Sequence, residues 1–150
     1  MSNPSRHELP VQYSIVDSEA LERLIETLYG WSGVQCQLIK GTMRDVYEVN
    51  ASDQQAILYL YRHGERNAQD IEAECAVMTH LSLLGLHVSI SMPLIDQQNV
   101  FSLLQPEGER FAVMGTYVQG SPIGRKITAD MSHRVGRLIG KAHQALDSLS

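Results

Sequence analysis

The chain has 150 residues, of which 43% are hydrophobic and 19% charged, so it can form the core of one domain and is not a disordered tail. Its formal net charge is −5 with only three lysines, which argues against binding to nucleic acid or to an anionic membrane surface. The sequence has no apolar run of the roughly 20 residues that a membrane span needs, and it has no signal-peptide pattern. The spacing of Cys36 and Cys75 does not suggest a disulfide, so we expect a cytoplasmic protein.

The first half of the chain predicts an arm, a helix and three strands. Residues 1–12 are polar, contain two prolines and are expected to form a flexible arm. Apolar residues at helical spacing follow, with Asp17 or Ser18 available to cap the helix and Gly30 to end it. Three segments with strand character, joined by short polar turns, then predict an antiparallel meander; they are 34–40, 45–50 and 56–61.

The second half predicts a long helix, further strands and a last helix. Asn67 can cap a helix from about Ala68 to Leu84, ended by Gly85. Its predicted apolar stripe consists of Ile71, Cys75, Met78, Leu81 and Leu84. Two or three strands are expected in segments 88–95, 100–104 and 111–117, with a turn at 106–109, and a helix with one apolar face at about 129–146. This order of elements is typical of an α+β protein.

Five segments carry a family resemblance. Residues 41–49 (GTMRDVYEV) match a phosphate-covering turn, 57–62 (ILYLYR) a third strand and 70–74 (DIEAE) the helix that follows it. Residues 111–120 match the strand that enters an interlobe hinge, and 136–143 the helix after the hinge. In this order they resemble the aminoglycoside phosphotransferase and choline kinase-like family, especially its homoserine-kinase-like branch.

The resemblance runs from about Tyr13 to Asp147 and implies a protein-kinase-like N-terminal lobe. Such a lobe is an antiparallel sheet of about five strands with one long helix packed on it, here with flanking N- and C-terminal helices. The implied domain is 13–150, without the family's C-terminal lobe.

The resemblance also implies a nucleotide site. In the family a lysine on the third strand holds the phosphates and pairs with a helix glutamate. Tyr59 stands at the lysine position, and a neutral tyrosine cannot replace that cation. Glu74 stands at the glutamate position, where an ordinary solvated carboxylate is the alternative. Lys40 is the favoured substitute cation over Arg62, because side chains alternate along a strand and Arg62 should point away from Tyr59.

The turn and the hinge complete the implied site. The turn has one glycine, Gly41, beside the bulky Met43 and Arg44, so it is a poor phosphate cradle and an ordinary β-turn is the alternative. Backbone groups of residues 114–118 are expected to contact adenine. The predicted ATP-binding residues are Lys40, Gly41, Tyr59, Glu74, Met114 and Tyr117.

The family's catalytic motifs are missing from the sequence. None of the six histidines begins a His-x-Asp motif, and no Asp-x-Asp occurs. We therefore expect no catalytic residue and no metal site, weak ATP binding and no independent phosphotransferase activity. The alternative is a non-catalytic interaction module that self-associates, or binds a protein supplying the second lobe, through residues 111–123 and the last helix. An α+β ligand-binding domain unrelated to kinases is the third option.

Overall fold

The computed structural model describes residues 9–41, 43–121, 123–124 and 126–149. These residues form one five-stranded antiparallel sheet and three helices, which confirms the predicted α+β class. The helices are α1 (Ser18–Tyr29), α2 (Ala68–Leu83) and α3 (Ala129–Leu146). The strands are β1 (Gln35–Gly41), β2 (Arg44–Asn50), β3 (Gln55–Tyr61), β4 (Val100–Gln105) and β5 (Gly108–Thr116). Their spatial order is β1-β2-β3-β5-β4, so the meander continues after α2 with the last two strands exchanged.

The helix boundaries follow the predicted caps. The Asp17 carboxylate accepts a hydrogen bond from the Ala20 amide at 2.9 Å, and α1 ends at Gly30 with a φ of 68°. The Asn67 side chain accepts from the Asp70 amide at 2.8 Å and begins α2. Both caps satisfy amides that the first helical turn leaves without a partner.

The two faces of the sheet have different covers. Tyr47 and Val49 on β2 and Leu58 on β3 point to the face that α1 covers, and they belong to the main hydrophobic core. Because side chains alternate along a strand, Tyr59 and Tyr61 point to the opposite face. There they pack with residues of α2 and β5 in a second core cluster that includes Ile71, Cys75 and Val113. The covers on both faces explain why residues 56–61 of the sequence are almost continuously apolar.

The segment 88–95 differs from its prediction as a strand. It contributes one bridge, Ser91 to Gly115, and backbone hydrogen bonds to β5 from both Ile90 and Met92. It lies beside the C-terminal half of β5, past the point where the pairing with β4 ends. The segment is extended but has too few ladder hydrogen bonds for a strand.

The predicted apolar faces of α2 and α3 are buried only in part. Leu84 lies just after the last residue of α2 and is 53% exposed, so the prediction that it belongs to the buried stripe was wrong. In α3, every residue of which is described, Ala145 is the buried residue, while Leu138 and Ile139 are 54% and 50% exposed. The apolar face of α3 is therefore packed near its C-terminal end, at Ala142 and Ala145, and exposed at Leu138 and Ile139.

Two predictions fall partly on residues whose structure is not described. Of the predicted arm, residues 1–8 lie outside the described part of the chain, and 9–12 are irregular and exposed. Thr42, in the turn between β1 and β2, also lies outside it. None of the described helices is both long enough and apolar enough to cross a membrane.

Candidate functional site

A connected polar cluster lies on the α2 side of the sheet. The Arg44 guanidinium donates from Nη1 to the Tyr61 hydroxyl at 3.1 Å, and that hydroxyl donates to Oε2 of Glu74 at 3.2 Å. Nη1 of Arg44 also lies 3.8 Å from Oε1 of Glu74. Tyr61 thus connects the arginine of β2 to the glutamate of α2, and we call Arg44, Tyr59, Tyr61 and Glu74 the arginine cluster.

Strand register brings the arginine over two aromatic rings. Arg44 pairs with Tyr61 across the β2–β3 ladder, and Val46 pairs with Tyr59. The guanidinium carbon of Arg44 lies 4.5 Å from the ring centroid of Tyr59 and 5.5 Å from that of Tyr61. A guanidinium over an aromatic face is attracted by the negative potential of the ring. The two tyrosines therefore hold the arginine side chain along the sheet.

The Tyr61 hydroxyl keeps its proton at neutral pH. The pKa of Tyr61 is raised to about 12, because burial and then the Glu74 carboxylate raise it by more than the Arg44 guanidinium lowers it. The protonated hydroxyl can accept a hydrogen bond from Arg44 and donate one to Glu74 at the same time.

Glu74 therefore has a cationic partner, contrary to the expectation that its partner was missing. The partner is Arg44, which the sequence analysis treated as a bulky turn residue. The Arg62 guanidinium stacks instead 3.9 Å over the ring of Tyr13. The register of β2 against β3 was the missing information, since strand alternation alone does not show which cation faces Tyr59.

The cluster forms the wall between two cavities. Arg44, Tyr61 and Glu74 line both of them. The first cavity lies between α2 and β5 and measures about 70 Å³. That is far below the roughly 300 Å³ at which small-ligand sites begin. The second measures about 370 Å³ and lies between the β1–β2 turn and the start of α2; its other lining residues are Lys40, Met43, Val46, Glu65 and Arg66.

The second cavity is lined by three cations, Lys40, Arg44 and Arg66, and by two carboxylates, Glu65 and Glu74, so positive charge is in excess by one. It brings together two of the predicted site residues, Lys40 and Glu74. Tyr59 and Met114 line the first cavity. Gly41 and Tyr117 line neither of these two cavities.

The backbone groups at the C-terminal end of β5 form hydrogen bonds with segment 88–95. The Met114 carbonyl accepts from the Met92 amide at 2.8 Å, and the Met114 side chain is fully buried. The Thr116 amide donates to the Ile90 carbonyl at 2.9 Å, and the Thr116 carbonyl accepts from the Ser89 hydroxyl at 2.7 Å. Tyr117 is the first residue after the strand and is half-buried. The Met114 carbonyl and both backbone groups of Thr116 are therefore already hydrogen-bonded within the protein.

A buried arginine on the other face fixes the strands that carry the arginine cluster. Arg110 of β5 donates to Asp45 at 2.7 Å, to the Tyr61 carbonyl at 2.9 Å and to the Ser14 carbonyl at 2.9 Å. Asp45 follows Arg44 in β2, and Tyr61 is itself a member of the arginine cluster. Arg110 therefore fixes the backbone of the cluster from the opposite face of the sheet. This role of Arg110 was not predicted, although an arginine directly before the apolar run of β5 was a visible signal.

Glu107 closes this network at the turn between β4 and β5. Its carboxylate accepts from both the amide and the hydroxyl of Ser14. Burial by itself would raise the pKa of Glu107, but these hydrogen bonds and the Arg110 charge lower it below its usual value. The segment before α1 is thus attached to the sheet.

A family model described as the phosphotransferase enzyme family matches residues 35–150. Among curated protein sequences, none matches the chain. The family resemblance predicted from the sequence is confirmed by the family match.

Solved kinases share the fold at low sequence identity. A microcompartment-associated aminopropanol kinase superposes with a TM-score of 0.70 and 22% identity, covering 84% of this chain and 40% of the kinase. An amicoumacin kinase in complex with AMP-PNP, Ca2+ and Ami superposes with a TM-score of 0.67 and 20% identity, covering 87% of this chain and 40% of the kinase. A spectinomycin phosphotransferase in complex with ADP and spectinomycin superposes with a TM-score of 0.64 and 13% identity, covering 88% of this chain and 39% of the phosphotransferase. The chain therefore spans about 40% of the length of each of these kinases, and its kinase-like lobe is confirmed.

Proposed function

The chain belongs to the phosphotransferase enzyme family, and on that premise we propose that it is the ATP-binding lobe of a small-molecule kinase, without phosphotransferase activity by itself. The observation that carries the proposal is the second cavity, a space of about 370 Å³ where cations from β1, β2 and the loop before α2 outnumber the two carboxylates. Phosphoryl transfer depends on positioning the phosphates and neutralising their charge.

The residues present suit the phosphates of a nucleotide. Lys40, Arg44 and Arg66 offer positive charge, and Arg44 offers a planar guanidinium that can bind phosphate oxygens in pairs. The solved complexes with AMP-PNP and with ADP support the choice of an adenine nucleotide. Its magnesium ion would supply further charge neutralisation when bound. The free thiols of Cys36 and Cys75 suit a reducing, cytoplasmic setting.

The proposed lack of activity is supported by the sequence. It contains neither a His-x-Asp motif for a catalytic base nor an Asp-x-Asp motif for the metal. We also expect these 150 residues to bind nucleotide weakly by themselves, since small ligands bind best in enclosed sites.

The test is a thermal unfolding series with Mg-ATP and Mg-ADP. A ligand that binds the native state stabilises it by RT ln(1 + [L]/Kd), which is about 1.4 kcal/mol at ten times Kd. We expect the melting temperature to rise with nucleotide and not with magnesium sulfate at equal ionic strength. A coupled assay for ADP release should show no turnover. An unchanged melting temperature at several millimolar nucleotide would contradict nucleotide binding.

A second candidate function is suggested by the exposed face of α3. Leu138 and Ile139 lie half-exposed on this helix, and Ile127 just before it is 62% exposed. Exposed apolar patches of this kind mark interaction surfaces. This candidate is a non-catalytic module that binds a second copy of the chain, or a protein that supplies the second lobe, through α3 and residues 111–123, of which Pro122 lies outside the described part.

Light scattering after size-exclusion chromatography tests this second function. Association should rise with concentration and should be lost in a Leu138→Ser/Ile139→Ser variant, whose melting temperature stays near that of the parent. A 16.7 kDa monomer at every concentration would contradict self-association.

A further inference from the structure

We infer that Arg44 of β2 replaces the missing β3 lysine as the cation that binds the nucleotide phosphates, and that Tyr61 and Glu74 hold it in position. The inference rests on the proposed function and adds to it the identity of the phosphate-binding residue.

The Arg44 guanidinium lies over the side chain that stands at the lysine position. Tyr59 stands at the sequence position of the lysine, and the guanidinium carbon of Arg44 lies 4.5 Å from the centre of its ring. Neighbouring strands are about 4.8 Å apart, so a long side chain from β2 reaches the space over a β3 side chain. The positive charge that Tyr59 lacks is therefore supplied from the next strand.

Arg44 also pairs with α2. Arg44 lies 3.8 Å from Glu74, the residue at the position of the helix glutamate, and donates to Tyr61. The ion pair between strand and helix is thus retained with the arginine on β2. Its two side chains are 38% and 44% exposed, so solvent and ligands can reach the guanidinium.

The contacts of Arg44 distinguish it from the other cations of the second cavity. Among the described residues, Arg44 contacts Tyr61 and Glu74, whereas Lys40 and Arg66 make no side-chain hydrogen bond or ion pair there. A guanidinium already held in place loses less conformational freedom when it binds a ligand. Arg44 is therefore the cation best prepared to bind phosphate.

The geometry also explains the tyrosine at position 59. A lysine there would place a second positive charge against the Arg44 guanidinium, and two like charges at this distance repel. Arg44 and Tyr59 thus form a matched pair. Moving the cation back to β3 requires both positions to change.

The experiment compares ADP with adenosine, which lacks phosphates, by NMR titration of the full chain. Arg44→Met should weaken ADP binding about tenfold or more, as expected for loss of a charge-assisted hydrogen bond, and leave adenosine binding unchanged. Arg23→Met, at an arginine of α1 that is 68% exposed on the other face of the sheet, is the matched control and should leave ADP binding unchanged. The swap Arg44→Met/Tyr59→Lys should recover most of the ADP affinity.

The outcomes separate this inference from the proposed function. A parent chain that binds neither ligand would overturn the proposed function and the inference with it. Two outcomes with a parent that binds ADP would overturn the inference alone. In one, Arg44→Met binds ADP as well as the parent does; in the other, Arg44→Met loses ADP binding and adenosine binding alike. A swap variant as weak as Arg44→Met would overturn it as well. Should Arg44→Met not fold, Arg44→Gln removes the charge but keeps a donor for Tyr61, and the same differences are expected.

Discussion

The Arg110 guanidinium lies 2.7 Å from the Asp45 carboxylate, and neither side chain is measurably accessible to solvent, at 0% and 1% exposed. Asp45 follows Arg44 directly in β2, so the two side chains point to opposite faces of the sheet. Arg110 also holds the carbonyl of Tyr61, the residue that pairs with Arg44. This ion pair on the α1 side therefore fixes the backbone from which the arginine cluster projects.

Arg110→Met should destabilise the protein by about 3–5 kcal/mol, because Asp45 would remain buried without its partner. Chemical denaturation measures the loss. The control is Arg134→Met, which removes an ion pair with Asp130 whose side chains are 66% and 73% exposed and should cost about 0–1 kcal/mol. Equal losses in the two variants would contradict a structural role for the buried pair.

The raised pKa of Tyr61 makes stability depend on alkaline pH. The native state binds the hydroxyl proton more tightly than the unfolded state, whose pKa is near 10.0, so this contribution is complete below pH 10. It is lost as the pH rises through about 12. Denaturation at several pH values should show a shallower loss of unfolding free energy for Tyr61→Phe than for the parent. Tyr13→Phe, at an exposed ring, is the control, and identical slopes for parent and Tyr61→Phe would contradict the prediction.

Gly115 has no room for a side chain because the Ser89 hydroxyl occupies the space of its missing methyl group. Gly115→Ala should therefore cost about 1–3 kcal/mol, as overpacking of a filled site does. Ser89→Ala in the same chain should recover part of that cost, since it removes the colliding oxygen.

A double-mutant cycle measured by denaturation gives this coupling. Gly136→Ala is the control, because nothing lies within 4 Å of the added carbon at this helical position and alanine favours helix. Strictly additive effects of Gly115→Ala and Ser89→Ala would show that the two groups do not collide.

The two cysteines should react slowly with thiol reagents in the native protein. Burial and, to a smaller extent, the Glu22 carboxylate raise the pKa of Cys36 to about 12, and burial also raises the pKa of Cys75. Since the thiolate is the reactive form, we expect labelling at pH 8 to be much faster in denaturant than in buffer. Cys36→Ser identifies the signal of each thiol, and rapid labelling of either one in buffer would contradict the prediction.

Local patterns predicted most of the elements. The caps at Asp17 and Asn67 and the helical spacing of α1 act within one or two turns, so they are visible in the sequence itself. The same holds for the short polar turns that separate the first three strands. Segment 88–95 shows the limit, because its apolar residues satisfy a strand pattern while its partners on β5 allow only a short contact.

The arginine cluster was only half predictable. Glu74 was located through the resemblance, and Tyr59 was identified as the residue in place of the lysine. The roles of Lys40, Gly41, Tyr59, Glu74, Met114 and Tyr117 in ATP binding stay predictions. The pairing of Arg44 with Glu74 depends on the register of β2 against β3 and on the placement of α2, which no local pattern encodes.

The sequence by itself was enough to identify the family and the α+β class and to show that it contains no His-x-Asp or Asp-x-Asp motif. Each of these features depends on short runs of neighbouring residues. Only the tertiary structure decided which charges meet, Arg44 with Glu74 and Arg110 with Asp45. Those partners come from separate strands and a helix, and electrostatic contacts act over a few ångströms of space regardless of their separation along the chain.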